Sequence, residues 1–125
     1  MIHLFKKVYV SSDRFIDSTG YNVRATPINN QTAGYTLTAG DAGKTVSITT
    51  GGVTVPSSVF TAPYGQTVAI FNNSSSSQTI TAGAGTTVYM AGTALTGNRT
   101  LAQRGLATVV CVASNTFVIS GGGLS

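Results

Sequence analysis

The stretch Thr36-Leu37-Thr38-Ala39-Gly40-Asp41-Ala42-Gly43-Lys44-Thr45-Val46 returns, one residue shorter, as Thr79-Ile80-Thr81-Ala82-Gly83-Ala84-Gly85-Thr86-Thr87-Val88. Both copies read T-(L/I)-T-A-G, then a Gly-containing turn, then T-V. Thr alternating with an aliphatic residue favours a strand, and Gly marks the place where the chain must turn. Each copy therefore predicts a strand end, a tight corner and a strand start. Two copies are fewer than the three units a repeat array needs, so they are read as two corners of one β-scaffold.

The same pattern extends outward from these corners. Short runs with Gly, Pro or Asn between them predict strands near 35–38, 44–49, 53–55, 67–72, 78–81, 86–90, 106–113 and 116–120. Gly51-Gly52 and Asn72-Asn73 read as turns, and Ser74-Ser75-Ser76-Ser77 as a solvated hairpin tip. Ser114-Asn115 has the spacing of a tight hairpin. Leu106–Ala113 is the most apolar strand and is expected to be central, with Cys111 as a small buried hydrophobe. Gly92, Gly97 and Gly105 argue against a helix in 91–105, and Gly121-Gly122-Gly123 reads as a flexible tail. The expected fold is all-β, an antiparallel β-sandwich or barrel of jelly-roll-like form with an N-terminal extended arm. The domains are 1–34, strand and arm, and 35–125, the β-module.

Composition points the same way. The 125 residues include no Trp and no Glu, and only 8% are charged, against about 25% in an ordinary soluble domain. The exposed faces must then be covered by Thr, Ser and Asn, a composition closer to extracellular or virion β-proteins than to cytosolic enzymes. The net charge of +4 is dispersed over Lys6, Lys7, Arg14, Arg24, Lys44, Arg99 and Arg104 against Asp13, Asp17 and Asp41. Aromatics are not interleaved with a basic stripe, so no nucleic-acid partner is expected. No apolar run approaches the ~20 residues of a membrane span. Met1–Val10, interrupted by Lys6 and Lys7, does not read as a signal peptide, so a product made and kept in a cytosol until it is assembled is expected.

Residues 2–10 alternate as a strand, with Ile2, Leu4, Val8 and Val10 on one face and His3, Phe5, Lys7 and Tyr9 on the other. Large apolar groups on both faces call for cover on two sides or for another chain. Ser11–Asn30 is polar and irregular and reads as an extended arm.

Motifs with chemical potential do not assemble into a site. Gly43-Lys44-Thr45 resembles the end of a phosphate loop, but position 38 is Thr where that loop needs Gly, and a strand rather than a helix is expected to follow. One His and three Asp supply neither a nucleophilic triad nor a convincing carboxylate pair, and no G-x-S-x-G occurs. Cys111 and His3 alone cannot make a four-ligand zinc site. Asp41 reads as a turn Asp that bonds nearby backbone N–H groups. The N-x-S/T matches at Asn30, Asn72, Asn73 and Asn98 are what a Ser/Thr-rich chain produces by chance. No cofactor, metal or enzymatic activity is expected.

Four stretches together resemble a β-module of tailed-bacteriophage virion proteins, found in tail-fibre ends and small head proteins. They are Tyr35-Thr36-Leu37-Thr38-Ala39-x-Asp41-x-Gly43-Lys44-Thr45-Val46, Gly65-x-x-Val68-x-Ile70-x-Asn72, Gly105-x-Ala107-Thr108-Val109-Val110 and Phe117-Val118-Ile119-Ser120-Gly121-x-Gly123-Leu124. The resemblance covers most of the chain after residue 34. It implies a structural role, often as a trimer, and brings no catalytic residues. The expectation is a capsid decoration (cement) protein located in the virion. Its partner would be the major capsid protein or another virion protein. Ile2, Leu4, Phe5, Lys6, Lys7, Tyr9, Arg14 and Arg24 would dock it. The alternative is a tail-fibre or receptor/glycan-binding tip, which predicts an exposed aromatic patch from Tyr64, Tyr89 or Phe60.

Overall fold

The computed structural model describes residues 25–125 in full and, before them, the backbone of two short strands. These strands, β1 (Val8–Ser11) and β2 (Arg14–Asp17), pair antiparallel in a sheet of their own. The main body holds β3 (Ile28–Gln31), β4 (Tyr35–Thr36), a 3-10 turn (Ala39–Asp41), β5 (Thr45–Ile48), β6 (Val53–Val55) and β7 (Thr67–Asn72). After them come β8 (Gln78–Ala82), β9 (Thr87–Met90), β10 (Arg99–Ala113) and β11 (Thr116–Leu124). The expected all-β, barrel-like class is what the structure shows, as one nearly closed mixed sheet.

The pairing is not antiparallel throughout. β3, β5 and β7 stack in parallel, and so do β4, β6 and β8. The chain coils: a strand, a corner, a second strand, then a return segment that brings the next strand in with the same direction. Parallel pairing requires such a return, whereas a tight hairpin forces antiparallel pairing. The return segments are 37–44, 56–66 and the stretch beyond β8. The long β10 then runs antiparallel along β7 through Leu106–Val110 and along β8 through Arg99–Leu101. β11 folds back on it across the Ser114-Asn115 hairpin, as expected, and β9 lies parallel to β11.

Each corner has a local cause. Between β5 and β6, Gly51 and Gly52 adopt φ of 89° and 71°, a region that L side chains rarely enter. A Cβ on Gly51 would sit 2.3 Å from the Gly34 nitrogen of the neighbouring corner, so the corners stack only without it. In β10 the bend falls at a register shift between Leu101 and Leu106, where Arg104 takes φ 55°.

The repeated T-A-G stretches occupy equivalent places in the coil, two turns apart. Register aligns Thr36 with Thr54 and Thr54 with Thr81, so the copies are offset by two residues. An even offset keeps the same faces inward, and Leu37 and Ile80 are both buried. Inside the coil, Val46, Ile48, Val53, Val55, Val68, Ile70, Ile80, Leu101, Ala107, Val109, Cys111 and Ile119 make the core. Each larger aliphatic side chain so buried contributes about 1.5–3 kcal/mol. Phe60, from the second return segment, closes one side edge-on to Phe117, with centroids 6.0 Å apart.

Five expectations change. Arg14–Asp17, read as part of the irregular arm, is a strand paired with β1, and the strand expected at 106–113 begins at Arg99. Ile28–Gln31, read as part of the irregular arm, is the first strand of the coil. Gly121-Gly122-Gly123, read as a tail, belongs to β11, which runs on to Leu124, and Thr100 and Ser125 exchange backbone hydrogen bonds at 2.9 Å. Ser74–Ser77 is not a hairpin tip, because β7 and β8 pair with β10 and not with each other; it is the third corner.

Candidate functional site

Alternation along a strand sends successive side chains to opposite faces, and paired residues share a face. The outer face of β3, β5, β7, β10, β11 and β9 can therefore be read row by row. One row runs Ser47, Phe71, Leu106, Gly122. The next runs Ile28, Thr45, Ala69, Thr108, Ser120. The third runs Thr67, Val110, Val118, Tyr89. Val112 lies beyond it on the same face of β10. Ile28 is 63% exposed, Leu106 52% and Val112 49%, while Phe71, Val110 and Val118 are half-buried and Ser47, towards the β3 edge, is buried. Not one of these residues is charged. Residues 25–125 carry only Asp41, Lys44, Arg99 and Arg104, and none of them stands in these rows.

This face is the candidate site, and its relief matters. Phe71 and Leu106 form a ridge. Thr45, Ala69, Thr108 and Ser120, all short side chains, make a lower row beside it, bounded on β3 by the exposed Ile28. Val110, Val118 and Tyr89 form a second ridge. The sequence already contained the signal in Leu106–Val112, where both alternating sets are apolar: Leu106, Val110 and Val112 outside, Ala107, Val109 and Cys111 inside. This strand was expected to be central, and it is; among the described residues its inner face is covered, while Leu106 and Val112 on its outer face stay exposed.

A polar centre sits inside the first turn of the coil. Asp41 is 1% exposed. Its carboxylate accepts hydrogen bonds from the Tyr35 hydroxyl (2.7 Å), the Thr38 backbone N–H (2.8 Å), the Asn29 amide (2.9 Å) and the Thr38 hydroxyl (3.2 Å). Burial pushes the Asp41 pKa up, and these donors, led by the Thr38 N–H, more than offset it, so the carboxyl lies below its ordinary value. Burial and the bond to Asp41 raise the Tyr35 pKa. Gln31 extends the group by donating to Asn29 at 2.8 Å. Asn29 and Gln31 occupy inward positions that Val46 and Ile48 fill one turn later, so the cluster closes the open end of the coil with satisfied polar groups. Its fully bonded carboxylate has a structural task. The turn reading of Asp41 is thus borne out, and the strand β5 that follows Lys44 removes the phosphate-loop reading.

Among the described residues no group of three or more His, Cys, Asp or Glu comes together to hold a metal ion. No helix among them is long and apolar enough to cross a membrane. Of the residues expected to dock a partner, Ile2, Leu4, Phe5, Lys6, Lys7 and Arg24 lie outside the described residues. Tyr9 and Arg14 are described only as positions in β1 and β2. Of the aromatics that a sugar platform would need, Tyr64 and Tyr89 are exposed but Phe60 is buried. Asn72 is buried too, which takes it out of the N-x-S/T matches as a glycan acceptor. Comparison with protein-family models, with curated proteins and with solved structures finds no match.

Proposed function

We propose that this chain is a structural protein of a bacteriophage virion, a decoration protein that binds the head shell and stabilises it. The observation that carries the reading is the uncharged, apolar outer sheet face on a body with only four charged residues after position 24. Surfaces of this kind mark sites of protein association. A coil with a satisfied core and a polar-capped end offers a rigid block. The apolar N-terminal stretch, residues 2–10, would be the adhesive arm that docks on the shell by backbone pairing and side-chain burial. Many copies on one particle add avidity to a weak single contact.

The test uses purified full-length protein and heads of its phage that lack it. Saturable co-sedimentation with heads, and heads that then withstand heating better, are the expected results. Full-length Phe5→Asp and Tyr9→Asp should bind heads at least tenfold more weakly while remaining folded. Substitution is preferred to deletion through Asn30, which would remove part of β3. Firm binding to host cells with none to heads would place the protein at a fibre tip and end the decoration reading.

A further inference from the structure

We infer that the outer face of β3, β5, β7, β10, β11 and β9 is closed by the same face of a second copy of this chain. The inference is read from the face itself and does not rest on the virion assignment. Its first support is electrical. No charged side chain stands in its rows, so the ridge and trough of two copies meet without like-charge repulsion; Arg104, donating to Asn73 at 2.6 Å, lies at the border beyond the Phe71–Leu106 row. A partner recognised through charge finds nothing here to pair with.

The second support is shape. Successive rows lie about 6.8 Å apart, two residues along a strand. A two-fold axis midway between the Phe71–Leu106 ridge and the Ala69–Thr108 trough places each copy's ridge over the other's trough. The contact is reciprocal, as an isologous interface must be. Gly122, at the end of the ridge row, has open space where a side chain would stand and leaves room for the approach.

The third support is area. Six strands spaced about 4.8 Å apart, over about six residues of 3.4 Å, give roughly 500 Å² on each copy. A pair therefore buries about 1,000 Å², the threshold for a specific interface. A reversible dimer follows from this geometry, not the trimer that the resemblance implies.

Sedimentation equilibrium of the full-length chain over a wide concentration range tests this. The expected result is a monomer–dimer equilibrium. Leu106→Asp and, separately, Thr108→Asp should weaken it at least tenfold, with unchanged circular dichroism. Thr79→Asp, on the outer side of β8, should leave it unaltered. A monomer at every concentration, a trimer, or Leu106→Asp assembling like the parent chain would overturn the inference. Binding of heads is a separate measurement, so either conclusion can fail without the other.

Discussion

The Tyr35 hydroxyl donates a 2.7 Å hydrogen bond to the Asp41 carboxylate, and through it β4 is tied to the turn that leads into β5. The same carboxylate takes the Thr38 N–H and, through Asn29, reaches β3. One side chain thus joins both edge strands of the coil where no further strand follows.

Acid should loosen this end first. The Asp41 pKa is lowered on folding, so its contribution is fully present above the unfolded value, about 3.9. That contribution is lost as pH falls through the lower folded value. Tyr35 has the opposite sign. Its raised pKa makes its contribution complete below about 10 and lost as pH climbs past that. Denaturant midpoints should be flat from about pH 4 to about 8.5, where the Cys111 thiol, its pKa raised by burial, begins to favour the unfolded chain, and should fall outside these limits. Asp41→Ala strands several donors and should cost about 2–4 kcal/mol at neutral pH, and Tyr35→Phe about 1–2. In Asp41→Ala the acid-side loss should shrink; an unchanged acid limb would show that other carboxyls cause it.

Asn72 should be the most sensitive polar position in the third corner. It is fully buried, and its amide faces the carbonyls of Ser76 (2.7 Å), Ala102 (2.9 Å) and Leu101 (3.0 Å) while its oxygen accepts from Ser74 (2.6 Å). It holds the corner of β7 and β8 against the bend in β10. Asn72→Leu leaves these groups unpaired and should cost about 2–4 kcal/mol by chemical denaturation. Asn72→Asp should be worse at pH 7 than at pH 4, because an ionised carboxylate would face three carbonyl oxygens and protonation relieves the repulsion.

Two glycines with similar φ should respond differently to alanine. Gly43 has φ 78° and open space around its Cβ position, so Gly43→Ala meets only the conformational penalty, about 1 kcal/mol. Gly51 has φ 89° and also backbone within 2.3 Å, so Gly51→Ala must push the corners apart. Its thermal unfolding midpoint should drop at least twice as far as that of Gly43→Ala. Equal drops would mean that the corner stacking has slack.

The strands were legible where alternation is strong. Tyr35–Thr36, Thr45–Ile48, Val53–Val55, Thr67–Asn72, Gln78–Ala82 and Thr87–Met90 fall within a residue or two of the pattern, because period-two patterning is a local property. Ile28–Gln31 was not legible. Asn29 and Gln31 look like loop residues, and they become strand residues only because the Asp41 cluster satisfies Asn29 and the coil end needs polar closure. Gly121-Gly122-Gly123 looked free because glycine has no side chain to pack; its strand state comes from backbone pairing with β10.

By itself, then, the sequence determined an all-β chain, its corners, its nearly chargeless surface and a central β10. All of these depend on residue type and spacing along the chain. Tertiary structure alone decided that the strands stack in parallel, that Asn72 is an interior brace, and that Phe71, Leu106, Val110 and Val118 gather on one open face. Those depend on which strands become neighbours. The return segments set that by carrying the chain around before it pairs, and hydrophobic alternation is blind to direction.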